Sequence, residues 1–165
     1  MKVTFTRTHA RGYCVSVEGK NIDRVTMAPA PGYDDRLPHD VAHFIVESEL
    51  GIMGGVFGQL AAGGTASTFH SAESKNHKKA RKRGTRIAKA NKKDALFSEH
   101  AIWAAQSRWE KHDIIPSTDI PTKDIERIIA RFEDFAGQWS KLPTGGSMSL
   151  EWPHDVKLTR SKKAR

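Results

Sequence analysis

The chain has very little cysteine: Cys14 is the only one among its 165 residues. A single thiol cannot form an intrachain disulfide, so a reducing, cytoplasmic location is the simplest expectation. The chain also lacks an apolar run of membrane-spanning length and a signal-peptide pattern at its N-terminus. These absences predict a soluble globular protein with no membrane partner.

Acidic residues are missing from two segments of the chain. The range 75–93 contains ten Lys and Arg without Asp or Glu, and the range 157–165 contains five more. The formal net charge is only +8, so the rest of the chain is net acidic. Such local clustering favours a polyanion-binding surface over a uniformly basic protein.

Two common catalytic signatures are absent as well. The glycine pairs 54–55 and 63–64 lack the lysine of a phosphate-binding P-loop, and no serine lies in a nucleophile-elbow context. Close packing of the backbone explains these glycine pairs better than phosphate binding. The sequence therefore gives no indication of a P-loop nucleotide hydrolase or of a serine hydrolase.

The residue pattern predicts one α+β domain over 1–153, followed by a basic, mobile tail at 154–165. Three N-terminal runs alternate apolar with polar residues, which indicates a small antiparallel meander. A strand at 147–152 is expected to rejoin this sheet. About four helices are expected to pack against it.

Helical spacing of apolar side chains predicts these helices. One extends from Pro38 to Gly51, a basic one covers 75–93, and a long amphipathic one begins near Thr122. Between them, 64–74 is expected to be an exposed loop. A further helix, from Ala95 to about His112, is expected to bury Leu96, Ile102, Trp103 and Trp109.

His39-Asp40-Val41-Ala42-His43 is the segment with the clearest chemistry. Histidines four residues apart on a helix lie about 40° apart around its axis, so both imidazoles can bind one metal ion. The spacing predicts a divalent metal site, with zinc as the favoured ion. The alternative is that both histidines are core residues hydrogen-bonded to Tyr33, Glu99 or backbone carbonyls.

Other acidic residues and one further histidine are candidates for completing this site. Glu47 lies on the same stripe, but about 12 Å along the axis from His39 at 1.5 Å per residue. It therefore fits better as a partner of His43, or as a ligand of a second ion. A third ligand is expected from another helix, where Glu99 and His100 are the candidates. In a hydrolase, Asp40 or Glu47 would act catalytically on the bound water.

The segment also resembles known zinc motifs. His39-Asp40-x-x-His43 is similar to the His-Glu-x-x-His helix of zinc peptidases, with a shorter carboxylate and no His-x-x-Gly-x-x-His continuation. It also resembles the zinc helix of ubiquinone-biosynthesis proteins, which implies a downstream carboxylate ligand, although Gln59 stands where glutamate is expected. A wider pattern resembles a group of small bacterial proteins to which no activity is assigned. It runs from Pro38 to Gly63 and ends in Leu142-Pro143-x-Gly145-Gly146-Ser147 and Trp152-Pro153, so it covers most of the chain.

The basic segment supports a second class of function. A narrow helical stripe of positive charge favours contact with nucleic acid phosphates, although no aromatic residue interleaves with it. The leading hypothesis is thus a metal-binding protein, in one version a metal-dependent hydrolase. The alternatives are a non-enzymatic nucleic-acid-binding protein and a structural interaction protein without metal. The residues of the stripe are Lys75, Lys78, Lys79, Lys82, Arg86, Lys89 and Lys93.

Overall fold

The computed structural model describes residues 1–19, 22–32, 34–71 and 74–153. Its architecture is a five-stranded antiparallel sheet packed against helices, which confirms the predicted α+β class. Tyr33 and the predicted basic tail lie outside the described residues. No helix within the described ranges is long and apolar enough to span a membrane.

The sheet has the order β4-β3-β2-β1-β5. Its first three strands form the predicted meander, and the predicted C-terminal strand pairs with the first. The short fourth strand lies in the segment expected to be an exposed loop, because two residues are too few to show an alternating pattern. The strands are β1 (Lys2–His9), β2 (Gly12–Gly19), β3 (Ile22–Met27), β4 (His70–Ser71) and β5 (Ser147–Glu151).

One helix lies at the centre of the helical layer. It is the predicted histidine helix, it contacts three other helices, and nine of its twelve residues are buried. Gly51 ends it with φ of 66°, a left-handed conformation that glycine adopts without strain. The helices are α1 (His39–Leu50), α2 (Val56–Ala61), α3 (Ser74–Ala90), α4 (Lys92–Trp109) and α5 (Thr122–Trp139).

The basic helix is shorter than predicted. α3 ends at Ala90, and after a turn at Asn91 the chain continues as α4, so Lys93 belongs to α4. Gly84, in the middle of α3, lies against the Gly64–Thr65 backbone. A Cβ there would be 2.3 Å from the Thr65 carbonyl oxygen. Glycine costs helix stability at this position, but its missing side chain is what allows α3 to pack so closely.

The predicted core face of α4 is only half correct. Ile102 and Trp109 are buried, but Leu96 is 77% exposed and Trp103 is 55% exposed. α4 instead turns small residues such as Ser98 and Ala101 towards the body of the protein, and small side chains allow close helix packing. Five of the seven residues in the predicted apolar stripe of α5 are buried, and Ile129 and Ala136 are partly buried against the same core. The buried residues are Ile125, Ile128, Phe132, Phe135 and Trp139.

Candidate metal centre

His39 and His43 lie on the same side of α1, in its first two turns. Their Nε2 atoms are 3.1 Å apart, and their rings are nearly perpendicular, at 83°. His43 is buried, whereas His39 remains partly exposed. The helical spacing thus brings together two imidazole nitrogens with access from solvent.

α4 contributes a carboxylate to this pair. Glu99 Oε1 lies 3.4 Å from His43 Nε2, and one donor atom from each of His39, His43 and Glu99 lies within 4.8 Å of the others. Zinc–ligand bonds of about 2.0–2.1 Å in tetrahedral geometry imply donor separations of about 3.3 Å. The three donors therefore have spacings that one ion can bridge after a small movement of the exposed Glu99 side chain.

His100, the other candidate for a third ligand, lies elsewhere. Its Nε2 is 3.0 Å from the carbonyl oxygen of Ser117, in the segment that follows α4. His100 and Glu99 are neighbours on a helix, so their side chains diverge by about 100°. The packing of α4 against α1 turns Glu99, and not His100, towards the histidine pair.

Glu47 is fully buried and is held by the first turn of α2. Its carboxylate accepts hydrogen bonds from the backbone N–H groups of Val56, Phe57 and Gly58, at 2.9, 2.7 and 3.0 Å. Its Oε1 also lies 3.4 Å from His43 Nδ1 and accepts a bond of 3.3 Å from the Ser98 hydroxyl. Glu47 is therefore the fixed partner of His43, one of the two roles that the sequence allowed.

A glycine makes this contact possible. A Cβ on Gly55 would lie 2.3 Å from the Glu47 carboxyl carbon, closer than any real contact. The preceding Gly54 donates its N–H to Asp94 Oδ2 at 2.8 Å, which fixes the start of α4 beside α2. This glycine pair thus serves close packing around the candidate site.

Glu47 also defines the protonation of His43. A carboxylate only accepts hydrogen bonds, so the Nδ1 atom of His43 carries a proton and its Nε2 lone pair faces the donor group. Burial disfavours a charged His43, but Glu47, Glu99 and Asp40 together outweigh burial and raise the pKa of His43. Burial and the neighbouring His43 lower the pKa of His39. The first proton taken up by the pair therefore goes to His43.

Asp40 points to the sheet. Its Oδ2 lies 2.5 Å from the Tyr13 hydroxyl on β2, and its own backbone N–H is 3.4 Å from the same oxygen. Burial raises the pKa of Asp40, although Tyr13 and the two histidines act in the opposite direction. Both Asp40 and Glu47 already have buried partners, so a catalytic role for either stays a prediction.

Two residues of this site were not singled out by sequence reasoning, Tyr13 and Ser98, whereas Gly55 belongs to a pair that the sequence assigned to close packing. Tyr13 occupies an inward position of an alternating strand, and this pattern marks it as buried but does not identify its partner. Ser98 immediately precedes Glu99. Its Oγ lies 3.4 Å from His43 Nδ1, a contact that only the packing of α4 on α1 creates.

Among the described residues, none of the predicted polyanion-binding residues belongs to the donor group. Lys78, Lys79, Lys82, Arg86 and Lys89 are exposed on α3, and Lys93 is exposed in the first turn of α4. Lys75 belongs to α3, but its side chain lies outside what the structure describes. The stripe of basic residues is therefore divided between α3 and α4, whereas the sequence predicted it on a single helix.

Comparison of the chain with protein-family models, with curated proteins and with solved structures gives no match in any of the three. The geometry of the donor group and of the surfaces around it is therefore what indicates a function.

Proposed function

We propose that this protein binds one divalent metal ion, preferentially zinc, through His39, His43 and Glu99. One observation carries the proposal: three donors from two helices converge, while Glu47 holds the far nitrogen of one imidazole. A carboxylate behind a metal-binding histidine fixes its tautomer and its orientation. Two imidazoles and a carboxylate also suit iron(II), so metal analysis has to identify the ion.

The donor set favours a catalytic over a purely structural site. Structural zinc sites have four protein ligands, whereas catalytic sites have three and leave a position open for water or substrate. Here the third donor, Glu99, has a side chain that is 61% exposed, so the group faces solvent on that side. Bound zinc supplies a water of lowered pKa and polarises a carbonyl or phosphoryl oxygen. Hydrolysis is thus the reaction class we propose.

The protein's own residues would prepare such a site before any ion arrives. Glu47, held by three backbone N–H groups, keeps the His43 ring from rotating. Asp40, hydrogen-bonded to Tyr13, fastens the first turn of α1 to the sheet beside His39. Both carboxylates act here as positioning residues, because each has a buried partner that directs its oxygens.

The competing interpretation is a hydrogen-bonded pair of core histidines. The separation of 3.1 Å between the two Nε2 atoms is also a good hydrogen-bond distance, and one proton between them would satisfy both rings. In that case the protein would be a structural or interaction protein without metal. The two interpretations differ in whether zinc or a proton occupies the space between the nitrogens.

Elemental analysis of untagged protein, purified without chelator, separates them. We expect about one zinc per chain, and its loss in His39→Ala and in His43→Ala. His100→Ala is the matched control, because this histidine neighbours Glu99 but lies outside the donor group. It should retain the metal. A wild-type protein that holds no metal, even after reconstitution with zinc, would overturn the proposal.

A further inference from the structure

α4 displays a row of exposed side chains that includes the candidate ligand Glu99. Lys92, Leu96, Glu99 and Trp103 follow one another at intervals of four, three and four residues, so they share one face of the helix. All four are exposed, and two of them are large and apolar. Exposed apolar side chains on both sides of a metal ligand indicate a surface that contacts another molecule.

Trp103 is distinct among the tryptophans of the protein. It is 55% exposed, whereas Trp109, Trp139 and Trp152 are 8%, 0% and 4% exposed. Its ring contacts the ring of His100 edge-on, at 6.2 Å between ring centres. An exposed indole offers a flat surface on which an unpaired nucleobase can stack.

The cations of α3 have no acidic neighbours within their own segment of the sequence. No Asp or Glu occurs between positions 74 and 93 of the sequence. Among the described residues, the exposed cations of α3 form no ion pair with a carboxylate. Such a cluster binds phosphates with release of counterions. The exposed cations include Lys78, Lys79, Arg81, Lys82, Arg86 and Lys89.

The two surfaces follow directly on one another in the chain. α3 ends at Ala90, and the row on α4 begins two residues later at Lys92. From Lys92 to Glu99 the helix rises about 10 Å at 1.5 Å per residue. α3 and α4 also contact each other, so the cations of α3 and the row on α4 belong to neighbouring helices. A polymer that binds both helices would contact α3 with its phosphates and α4 with the next part of its backbone.

We propose that a single-stranded nucleic acid binds along α3 and the exposed row of α4, with a base stacked on Trp103. A single strand is favoured over a duplex because stacking requires unpaired bases. On α3 a membrane surface is disfavoured because its exposed face carries no large apolar side chain to insert. For the row on α4, which carries Leu96 and Trp103, anionic vesicles provide the test. The strand would also bring a phosphodiester to the donor group, a consequence that rests on the proposed metal site.

Intrinsic fluorescence tests the α4 half of this surface. Titration with unlabelled 12-nucleotide oligo(dT) and oligo(U) in low salt should quench the emission, because the exposed Trp103 is the indole within reach of a base. Trp103→Phe should abolish the quenching, and Trp103→Ala should weaken binding at least fivefold by anisotropy. If the oligonucleotides bind without quenching the emission, the proposal that a base stacks on Trp103 of α4 is overturned.

Charge reversal tests the α3 half. The double variant Lys82→Glu/Arg86→Glu should lower the affinity at least tenfold. It should also reduce the slope of log K against log salt by about 1.4, at about 0.7 per phosphate contact. Lys123→Glu/Lys141→Glu makes the same change in net charge at exposed positions elsewhere and should change affinity less than threefold. If the two double variants lose affinity equally, binding depends on net charge alone, and the proposal of a defined binding surface on α3 is overturned.

Further outcomes separate other occupants of this surface. If His39→Ala still binds the oligonucleotides, the nucleic-acid surface is supported even when the metal proposal fails. A concentration-dependent dimer by sedimentation that Trp103→Ala abolishes would show that a second copy covers the row, and would overturn the proposal. The proposal is also overturned if anionic vesicles quench the emission of Trp103 and oligonucleotides do not. Near-UV circular dichroism of each variant verifies its folding.

Discussion

Replacement of Glu47 by glutamine tests the network behind His43. The two oxygens of Glu47 have different partners. Oε2 accepts from Phe57 and Gly58, and Oε1 faces Val56, His43 and Ser98. In Glu47→Gln the amide oxygen can keep the first pair of bonds. The amide NH₂ group then faces three donors, the N–H of Val56, the Nδ1–H of His43 and the Ser98 hydroxyl, of which the hydroxyl can rotate to accept a bond instead.

The expected loss of stability follows from these contacts. A hydrogen bond to a charged group contributes about 1.5–3 kcal/mol, against about 0.5–1.5 kcal/mol for a neutral one, and a buried donor left unpaired costs about 1–3 kcal/mol. Together these effects predict a decrease of about 3–5 kcal/mol in the free energy of unfolding. For a chain of this length that lowers Tm by roughly 10 °C.

The same substitution should weaken zinc binding. His43 can restore a hydrogen bond to the glutamine NH₂ group by moving its proton from Nδ1 to Nε2, and a protonated Nε2 cannot bind metal. Changes behind a histidine ligand typically cost 10- to 100-fold in metal affinity. Chelator competition measures the affinity, and urea unfolding followed by circular dichroism measures the stability.

A matched variant makes both results interpretable. Glu126→Gln removes the same charge from an exposed position on α5 and should leave stability and zinc affinity unchanged. If Glu47→Gln unfolds within about 0.5 kcal/mol of wild type, the buried network is refuted. If stability falls while zinc affinity is unchanged, the proton assignment on His43 is refuted.

Three smaller perturbations test the packing, the anchoring and the protonation of the same site. Gly55→Ala should destabilise the fold by about 1–3 kcal/mol through overlap with Glu47, whereas Gly137→Ala, a helical position with nothing near its Cβ, should stabilise it by about 0.5–1 kcal/mol. Denaturant unfolding measures both, and equal effects would contradict the contact. Tyr13→Phe removes the hydroxyl beside the buried Asp40 and should cost about 1–3 kcal/mol in the same assay; no loss would contradict its anchoring role. Because Glu47, Glu99 and Asp40 raise the pKa of His43, zinc affinity measured between pH 8 and pH 5.5 should begin to fall above the usual pKa of a histidine, and a pH-independent affinity would exclude His43 as a ligand.

Local periodicity was sufficient to predict the framework of the site. The four-residue interval of His39 and His43 fixes their relative direction on any α-helix, because the backbone hydrogen bonds fix the rotation per residue. The alternation in β1, β2 and β3 fixed the meander in the same way. Glu47 could be assigned as a partner of His43 from its position one turn further along the helix.

Only the tertiary structure decided which residues meet across elements. Glu99 and His100 are adjacent in sequence, and the packing of α4 on α1 selects Glu99 for the donor group. The same packing exposes Leu96 and Trp103, because the small side chains on the opposite face allow closer contact than large ones. Helical spacing defines the faces of a helix. Which face is buried depends on the free energy of all the contacts that it makes, and those contacts exist only once the chain has folded.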